Sequence, residues 1–364
     1  MSNIIHQIFS DNIDEFIKAF NPSYSHMKVL NHIVSCRTPA LGAAVYTCEC
    51  GESIHLPHSC RDRHCPICSN INNARWAEKQ LESSLPVKYF HIVFTLPDTL
   101  NGIMLHHPKE SYDSLFFSAS TALLKLSNNK KLLGAKPGFT AVLHTWGQTM
   151  QYHPHLHIII TAGGLAPGNS RFVDKSSKNY LFPVKVLSRL FRGIFIDTLD
   201  KKVRLNPELK SLLYRTEFFC YLKQPLSNSE SVVKYLARYT NRVCISASRI
   251  CHYDKEADSV TFKYKDNRDE GTEKTMTISA IEFIRRFMLH VLPKRFMKIR
   301  HYGLLNNHHK FERINLCRKL LASAAKSILS LKKSSHPLCS KCRKAFPPPK
   351  HYTRSELHFM PLLC

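Results

Sequence analysis

The 364 residues, 43% of them hydrophobic and 10% aromatic, supply apolar surface for roughly two or three units with buried cores, which excludes a disordered polyelectrolyte. Against 27 Asp and Glu stand 52 Lys and Arg, a net charge of +25 that points to a polyanionic partner, because each cation meeting a phosphate gains from counterion release. The start, MSNIIHQIFSDNIDEF, has acids where a secretory signal has a basic region and an apolar core, and no apolar run approaches the roughly 20 residues that span a bilayer. The expectation is a cytoplasmic protein with no membrane partner, its 13 cysteines reduced or metal-bound.

Residues 1–35 predict helix, with Ile13, Phe16, Ile17 and Phe20 on one face behind a capping-type Ser10-Asp11-Asn12. Between 36 and 70 the chain turns to Cys, Gly, Pro and His, with few large aliphatics. A helix is expected from about 70 to 84, ended by Pro86, and then a strand over 89–95 closed by Leu96-Pro97. Residues 139–146 and 155–161 read as neighbouring strands of one sheet. A helix over 230–242 buries Val233, Leu236 and Ala237 and sets Lys234, Arg238 and Arg242 at i, i+4, i+8 on another face. Strand-like pieces at 243–246 and 260–264 precede a helix over 278–292, ended by Pro293. Beyond 311 the chain is basic, then Ser- and Pro-rich, with no core expected after Leu331.

The cysteines point to zinc. Cys60-Arg-Asp-Arg-His64-Cys65-Pro-Ile-Cys68 contains a CxxC knuckle, and Cys48-Glu-Cys50-Gly51 supplies a second pair upstream. A turn bearing two cysteines presents half of a tetrahedral Zn2+ shell, and a closed thiolate shell is structural because no position stays open for chemistry. Cys65 and Cys68 are the firm pair; Cys48, Cys50, Cys60, His58 and His64 compete for the other positions or form a second site. Isolated Cys36, Cys220, Cys244, Cys251 and Cys317 suit small core residues. Arg61, Arg63 and Lys79 nearby equip the unit to grip DNA. The further pair Cys339 and Cys342 is half a site: with His336, His351 or Cys364 it can bind another zinc, or it can lie in an unstructured tail.

Chemistry of a second kind sits in Tyr152-His153-Pro154-His155-Leu156-His157-Ile158. On a strand, i and i+2 point the same way, so His155 and His157 project together while Leu156 packs beneath. Converging imidazoles of this kind hold a divalent ion, here Mg2+ or Mn2+, with Gln148 as the preferred third ligand and His153 as the alternative. Tyr235 and Tyr239, at i and i+4, set two hydroxyls one turn apart on one helix face. Taken alone such a pair packs or stacks on bases. Beside a metal that polarises a phosphate, either hydroxyl becomes a nucleophile despite its ordinary pKa near 10.

At these residues the chain resembles the HUH endonuclease superfamily, named for His-hydrophobic-His, here His155-Leu156-His157. More narrowly it looks like the rolling-circle insertion-sequence transposases related to Helitrons, in which a zinc-binding domain precedes a two-tyrosine nuclease. HSCRDRHCPIC at 58–68, YFHIVFTLP at 89–97, HTWGQTMQYHPHLHIIITAGGL at 144–165, YLARYTNRV at 235–243 and FIRRFMLHVLPKRFMKIRHYG at 283–303 carry the resemblance, in the family's order. One departure is the first cysteine pair, CxC here and commonly CxxC in the family.

The resemblance implies an α+β fold: an HUH nuclease domain with a central antiparallel β-sheet and helices packed on it, preceded by a small helical and zinc-binding domain. Expected boundaries are 1–85 for the helical and zinc-binding domain, 86–310 for the nuclease and 311–364 for a basic tail with a CxxC half-site. The implied activity is metal-dependent cleavage and rejoining of single-stranded DNA at element ends and target DNA through 5′-phosphotyrosine intermediates on Tyr235 and Tyr239. A bacterial, nucleoid-associated setting goes with it. The alternatives are a replication-initiator nickase and a zinc-dependent DNA-binding protein without catalysis.

Overall fold

The computed structural model describes residues 3–68, 82–177, 181–226, 243–266, 269–321 and 337–357. Along them run α1 (Ile4–Phe20), α2 (Tyr24–Ser35), β1 (Ala43–Thr47), β2 (Ser53–Pro57), β3 (Tyr89–Thr95), α3 (Asn101–His106), α4 (Pro108–Asn128), β4 (Lys136–Trp146), β5 (Tyr152–Leu165), β6 (Phe172–Asp174), α5 (Val184–Val203), α6 (Pro207–Arg215), β7 (Cys220–Leu226), β8 (Ile250–Asp254), β9 (Ser259–Asp266), β10 (Thr272–Ile278), α7 (Ala280–Met288), β11 (Ile299–Gly303), α8 (Lys310–Leu320) and β12 (Lys350–Tyr352). The mixed α and β composition with antiparallel sheets is the expected fold class. Two compact units emerge: Met1–Asn72 with Asn241–Val291 and Leu329–Cys364, and Asn73–Thr240 with Leu292–Ile328. Among the described residues no helix is long and apolar enough to cross a membrane.

In the first unit α1 starts earlier than the Ser10-Asp11-Asn12 signal suggests. Its cap is Asn3, whose side chain accepts the Ile5 N–H at 3.0 Å, because the buried face is Ile5, Ile8, Phe9 and Phe16. Asn12 instead donates to the Tyr253 hydroxyl at 2.9 Å, which donates to Asp11 at 3.1 Å. Phe9 meets Phe287 of α7 edge-on at 5.2 Å. These contacts place residues 250–288 in the same compact unit as the N-terminal helices. β8, β9 and β10 form an antiparallel sheet, whereas 243–246 is no strand and leads into a short turn of helix at Ala247–Arg249. The helix expected over 278–292 is α7, capped by Ser279 and ended at Met288, clear of the conformational restriction ahead of Pro293. Residues 337–352 are no loose tail either: β12 pairs antiparallel with β1, and Cys339 and Phe346 are buried.

The second unit is built on an antiparallel sheet ordered β11-β4-β5-β3-β7, with β6 beside β5. Alternation along its three central strands creates two unlike faces. On one, Phe90, Ile92, Phe94, Phe139, Ala141, Leu143, Leu156, Ile158 and Ile160 are all buried, and Phe94 packs on Phe191 of α5 at 4.7 Å. Each large side chain removed from water there contributes about 1.5–3 kcal/mol, which pins strand register firmly. A one-residue slip would turn Leu156 out and the histidines in. Where β11 leaves the sheet, Gly303 has φ +62, and a Cβ there would lie 1.8 Å from the Pro137 carbonyl oxygen, so only glycine fits.

Candidate metal centres

The opposite face of that sheet carries imidazoles. His144 of β4 stands directly across from His155 of β5, and Val142 across from His157. On the other side, His91 of β3 pairs with Ile159, two residues along from His157 and pointing the same way. The ligand nitrogens of His144, His155 and His157 lie within 4.8 Å of one another. His155 and His157 approach Nε2 to Nε2 at 3.1 Å. Two imidazoles on one ion at about 2.0–2.1 Å would have nitrogens about 3.0–3.4 Å apart, so the donor set fits a divalent cation.

Surrounding bonds orient these rings. The His155 Nδ1 atom lies 2.7 Å from the His153 carbonyl, which fixes the proton on Nδ1 and leaves Nε2 its lone pair. Partial burial among the other rings holds the His155 imidazole down at about 4, although the His153 carbonyl opposes that shift, so the ring is neutral near pH 7. His157 Nδ1 lies 3.0 Å from Nε2 of buried His91. Were His157 to offer Nε2 to an ion, its Nδ1 would carry the proton and His91 Nε2 would accept it. His144 is buried and stacks on Trp146 at 4.5 Å.

The third imidazole is therefore His144, not His153, whose Nδ1 faces Asp98 at 3.7 Å. Gln148 sits in the turn, residues 147–151, that joins β4 to β5. Gln148 was expected as a neutral oxygen donor and His153 as its alternative; cross-strand pairing adds His144, the residue opposite His155, as an imidazole donor. His91 was missed as well. Its only sequence signal is a lone histidine in the otherwise apolar strand YFHIVFT.

The cysteines sort into two groups. Cys36, Cys60, Cys65 and Cys68 have sulfurs within 4.8 Å of one another, with Cys60 and Cys68 at 3.7 Å. A tetrathiolate zinc with bonds of about 2.3 Å has sulfur edges of about 3.8 Å, so this set fits the ion. Cys36, assigned by sequence to the core, is a member because α2 ends on it and turns its side chain toward the knuckle. The Asp62 N–H reaches Cys60 Sγ at 3.5 Å. His64 is not in the group: its N–H and Nδ1 bond the Asp62 carboxylate at 2.8 and 3.0 Å, and His32 adds a third bond at 2.8 Å. Burial would push that carboxyl up, yet the His64 and His32 bonds hold it well below the usual range. His58 stacks on His351 at 5.3 Å. Cys48 and Cys50 join Cys339 and Cys342 in the other group.

Arg61 is exposed and Arg63 half-buried on the knuckle. Tyr235, Tyr239, Lys234, Arg238, Arg242, Lys79, His336 and Cys364 lie outside the described residues.

Comparison with known proteins adds the following. Residues 138–312 match the family model described as "Putative transposase", and residues 8–96 match the one described as "Transposase zinc-binding domain". The chain is 39% identical over 317 residues to the "Putative transposase y4qJ" of Sinorhizobium fredii (strain NBRC 101917 / NGR234), covering 82% of this chain and 79% of that protein. It is 28% identical over 302 residues to the "Transposase for insertion sequence element IS801" of Pseudomonas savastanoi pv. phaseolicola, covering 77% and 70%. No solved structure matches.

Proposed function

This chain belongs to the insertion-sequence transposases that carry a zinc-binding domain, and on that premise we propose that it cuts and rejoins single-stranded DNA at element ends through covalent tyrosine intermediates. The observation that carries the reading is the cluster of His144, His155 and His157 on one sheet face, with Nε2 of His155 and of His157 3.1 Å apart. The division of labour proposed sets the nuclease chemistry on the histidine-bearing sheet of the second unit, with the cysteine-rich N-terminal residues as its zinc-bearing DNA grip.

His144, His155 and His157 would hold the divalent ion. When bound, such an ion supplies Lewis-acid polarisation of the scissile phosphate and neutralises charge developing on it. Neutral imidazoles suit first-row divalent ions better than magnesium, so manganese is the better fit of the two expected ions. The chain's own residues do the rest. His155 needs no deprotonation before it ligates, since burial keeps it neutral. His91 keeps the His157 proton on Nδ1, away from the coordination site. Lys234, Arg238 and Arg242 neutralise the DNA backbone, and Arg61 and Arg63 add grip from the knuckle. The Oη of Tyr235 or Tyr239 attacks phosphorus, an O–P bond forms, the P–O3′ bond breaks, and the 3′ oxygen departs as a hydroxyl carrying a proton. Reversal of that chemistry by a free 3′-hydroxyl of another strand rejoins DNA and releases the tyrosine; the second tyrosine allows another cut without dissociation.

The test uses a labelled single-stranded oligonucleotide of the element's end with manganese. A covalent protein–DNA adduct is expected from the wild type, lost in the Tyr235→Phe plus Tyr239→Phe variant, together with joining of the cut strand to a target oligonucleotide. A wild type that binds the oligonucleotide without any adduct, or an adduct undiminished in the double variant, overturns the reading.

A further inference from the structure

We propose that Cys48, Cys50, Cys339 and Cys342 form a second tetrathiolate zinc site, separate from that of Cys36, Cys60, Cys65 and Cys68, which fastens residues 337–352 onto the N-terminal hairpin. This is independent of the nuclease reading. The two family matches end at residues 96 and 312, so neither extends to Cys339 or Cys342.

Four thiols from places 289 residues apart in sequence converge here: Cys48 lies 3.4 Å from Cys342, Cys50 lies 3.6 Å from Cys339, and all four sulfurs are within 4.8 Å of one another. Those separations are far longer than a disulfide bond of about 2.05 Å and close to the roughly 3.8 Å edge of a zinc tetrathiolate. Packing does not account for the four, because Cys50 is exposed and Cys342 half-buried. A cysteine that served only as a small apolar residue would not be placed at the surface facing three others.

Both pairs sit in turns closed by a backbone bond to the first cysteine's carbonyl, over three residues at Cys48 and four at Cys339. The Gly51 N–H donates to the Cys48 carbonyl at 2.9 Å, and the Arg343 N–H to the Cys339 carbonyl at 2.9 Å. The residue after the second cysteine is left-handed in each, Gly51 at φ +86 and Arg343 at φ +59. The same device recurs in the first group, where Arg37 after Cys36 has φ +62 and Arg61 after Cys60 has φ +55. Arginine adopts that region at a cost, so three such residues following ligand-type cysteines mark turns held by something beyond their own propensity.

The energetics require a further holder. β1 and β2 have five residues each and β12 three, and the apolar cluster beneath them is Cys48, Cys339 and Phe346 with half-buried Tyr46, Ile54 and Cys342. One fully buried aromatic ring contributes about 3 kcal/mol at most, and buried Ala43, Ala44 and Val45 of β1 add only small side chains, a thin core for three strands from opposite ends of a chain. Zinc held by four thiolates supplies that deficit, since metal binding to such a site is folding free energy. The site also explains why β12 runs beside β1 in the register Ala43 to Tyr352, with Gly42 so close to the Tyr352 carbonyl that a Cβ would lie 2.3 Å from it.

The experiment is metal counting on the full chain, purified reduced and zinc-replete, in a His155→Ala plus His157→Ala background so that the histidine cluster adds nothing to the count. Two zinc ions per chain are expected, and replacement with cobalt should give thiolate charge-transfer absorbance equal to two tetrathiolate sites. Cys339→Ser plus Cys342→Ser should lose about one equivalent and let trypsin cut at Lys344 and Lys350 faster. One zinc per chain in the unaltered cysteine background overturns the proposal whether or not that variant folds, as does a Cys48–Cys342 disulfide in the reduced preparation or two zinc ions retained by the double serine variant.

Discussion

The histidine face and the cysteine knuckles bring ligands together by opposite routes. On the sheet, His144, His155, His157 and His91 come from three strands whose backbone bonds and apolar underside already fix every side chain. An ion arriving there finds a site built without it. In the Cys48, Cys50, Cys339 and Cys342 group the apolar cluster beside the ligands is small, Phe346 with half-buried Tyr46 and Ile54, and the ion supplies much of the order. A preorganised site should therefore survive ligand removal as a fold and lose only its chemistry, whereas a metal-closed site should lose local structure with its ligands.

The largest expected effect tests the first half of that contrast. His155→Ala plus His157→Ala should lower adduct formation roughly a thousandfold, the worth of several kcal/mol of charge stabilisation, while circular dichroism and thermal midpoint stay near wild type. A variant that instead unfolds would show the sheet to depend on its metal. Next comes the underside: Leu156→Ala, at 0% exposure between the two histidines, should cost about 2–5 kcal/mol in denaturant unfolding. If the loss were under about 1 kcal/mol, the strand would not be held by that face. His91→Ala should weaken manganese binding about 10- to 100-fold in calorimetry, because the His157 proton loses its acceptor, and His91→Asn should recover part of it. An unchanged affinity in the alanine variant would make His91 a packing residue.

The smallest effects separate ligand from core among the cysteines. Cys317→Ala should cost about 1 kcal/mol and leave the zinc content as it was, since Cys317 is buried beside Ile314 and Leu304. Cys36→Ala, a change of equal size, should release zinc to a chromogenic chelator many times faster. Equal zinc retention in the two variants would return Cys36 to the core, where its sequence context had put it.

Much of the sheet could be read ahead of time, for a physical reason. Strand alternation is local, so His155 and His157 sharing a face, with Leu156 beneath, follows from three consecutive residues. The knuckle Cys65 and Cys68 is likewise local. His144 was harder to identify: it lies eleven residues before His155, and which residue of β4 faces His155 depends on the turn at 147–151 and the register shift beside it. Cys36 looked isolated because its partners start 24 residues later, and α2 has to end where it does for the thiol to join them. The α1 cap was misplaced because Ser10, Asp11 and Asn12 bond to Tyr253 and to the helix's own turns, neither visible in a capping pattern.

By itself the sequence determined the class of the protein and its chemical vocabulary: a basic, cysteine-rich α+β chain, a His-Leu-His strand and a tyrosine pair, all set by composition and by periods of two and four residues. Tertiary structure alone decided which groups meet. Register chose His144 and brought His91 behind His157, and the return of residues 337–352 to β1 turned two half-sites into one cluster of four thiols. Such meetings are fixed by pairings across tens to hundreds of residues, whose free energy resides in contacts that no local pattern encodes.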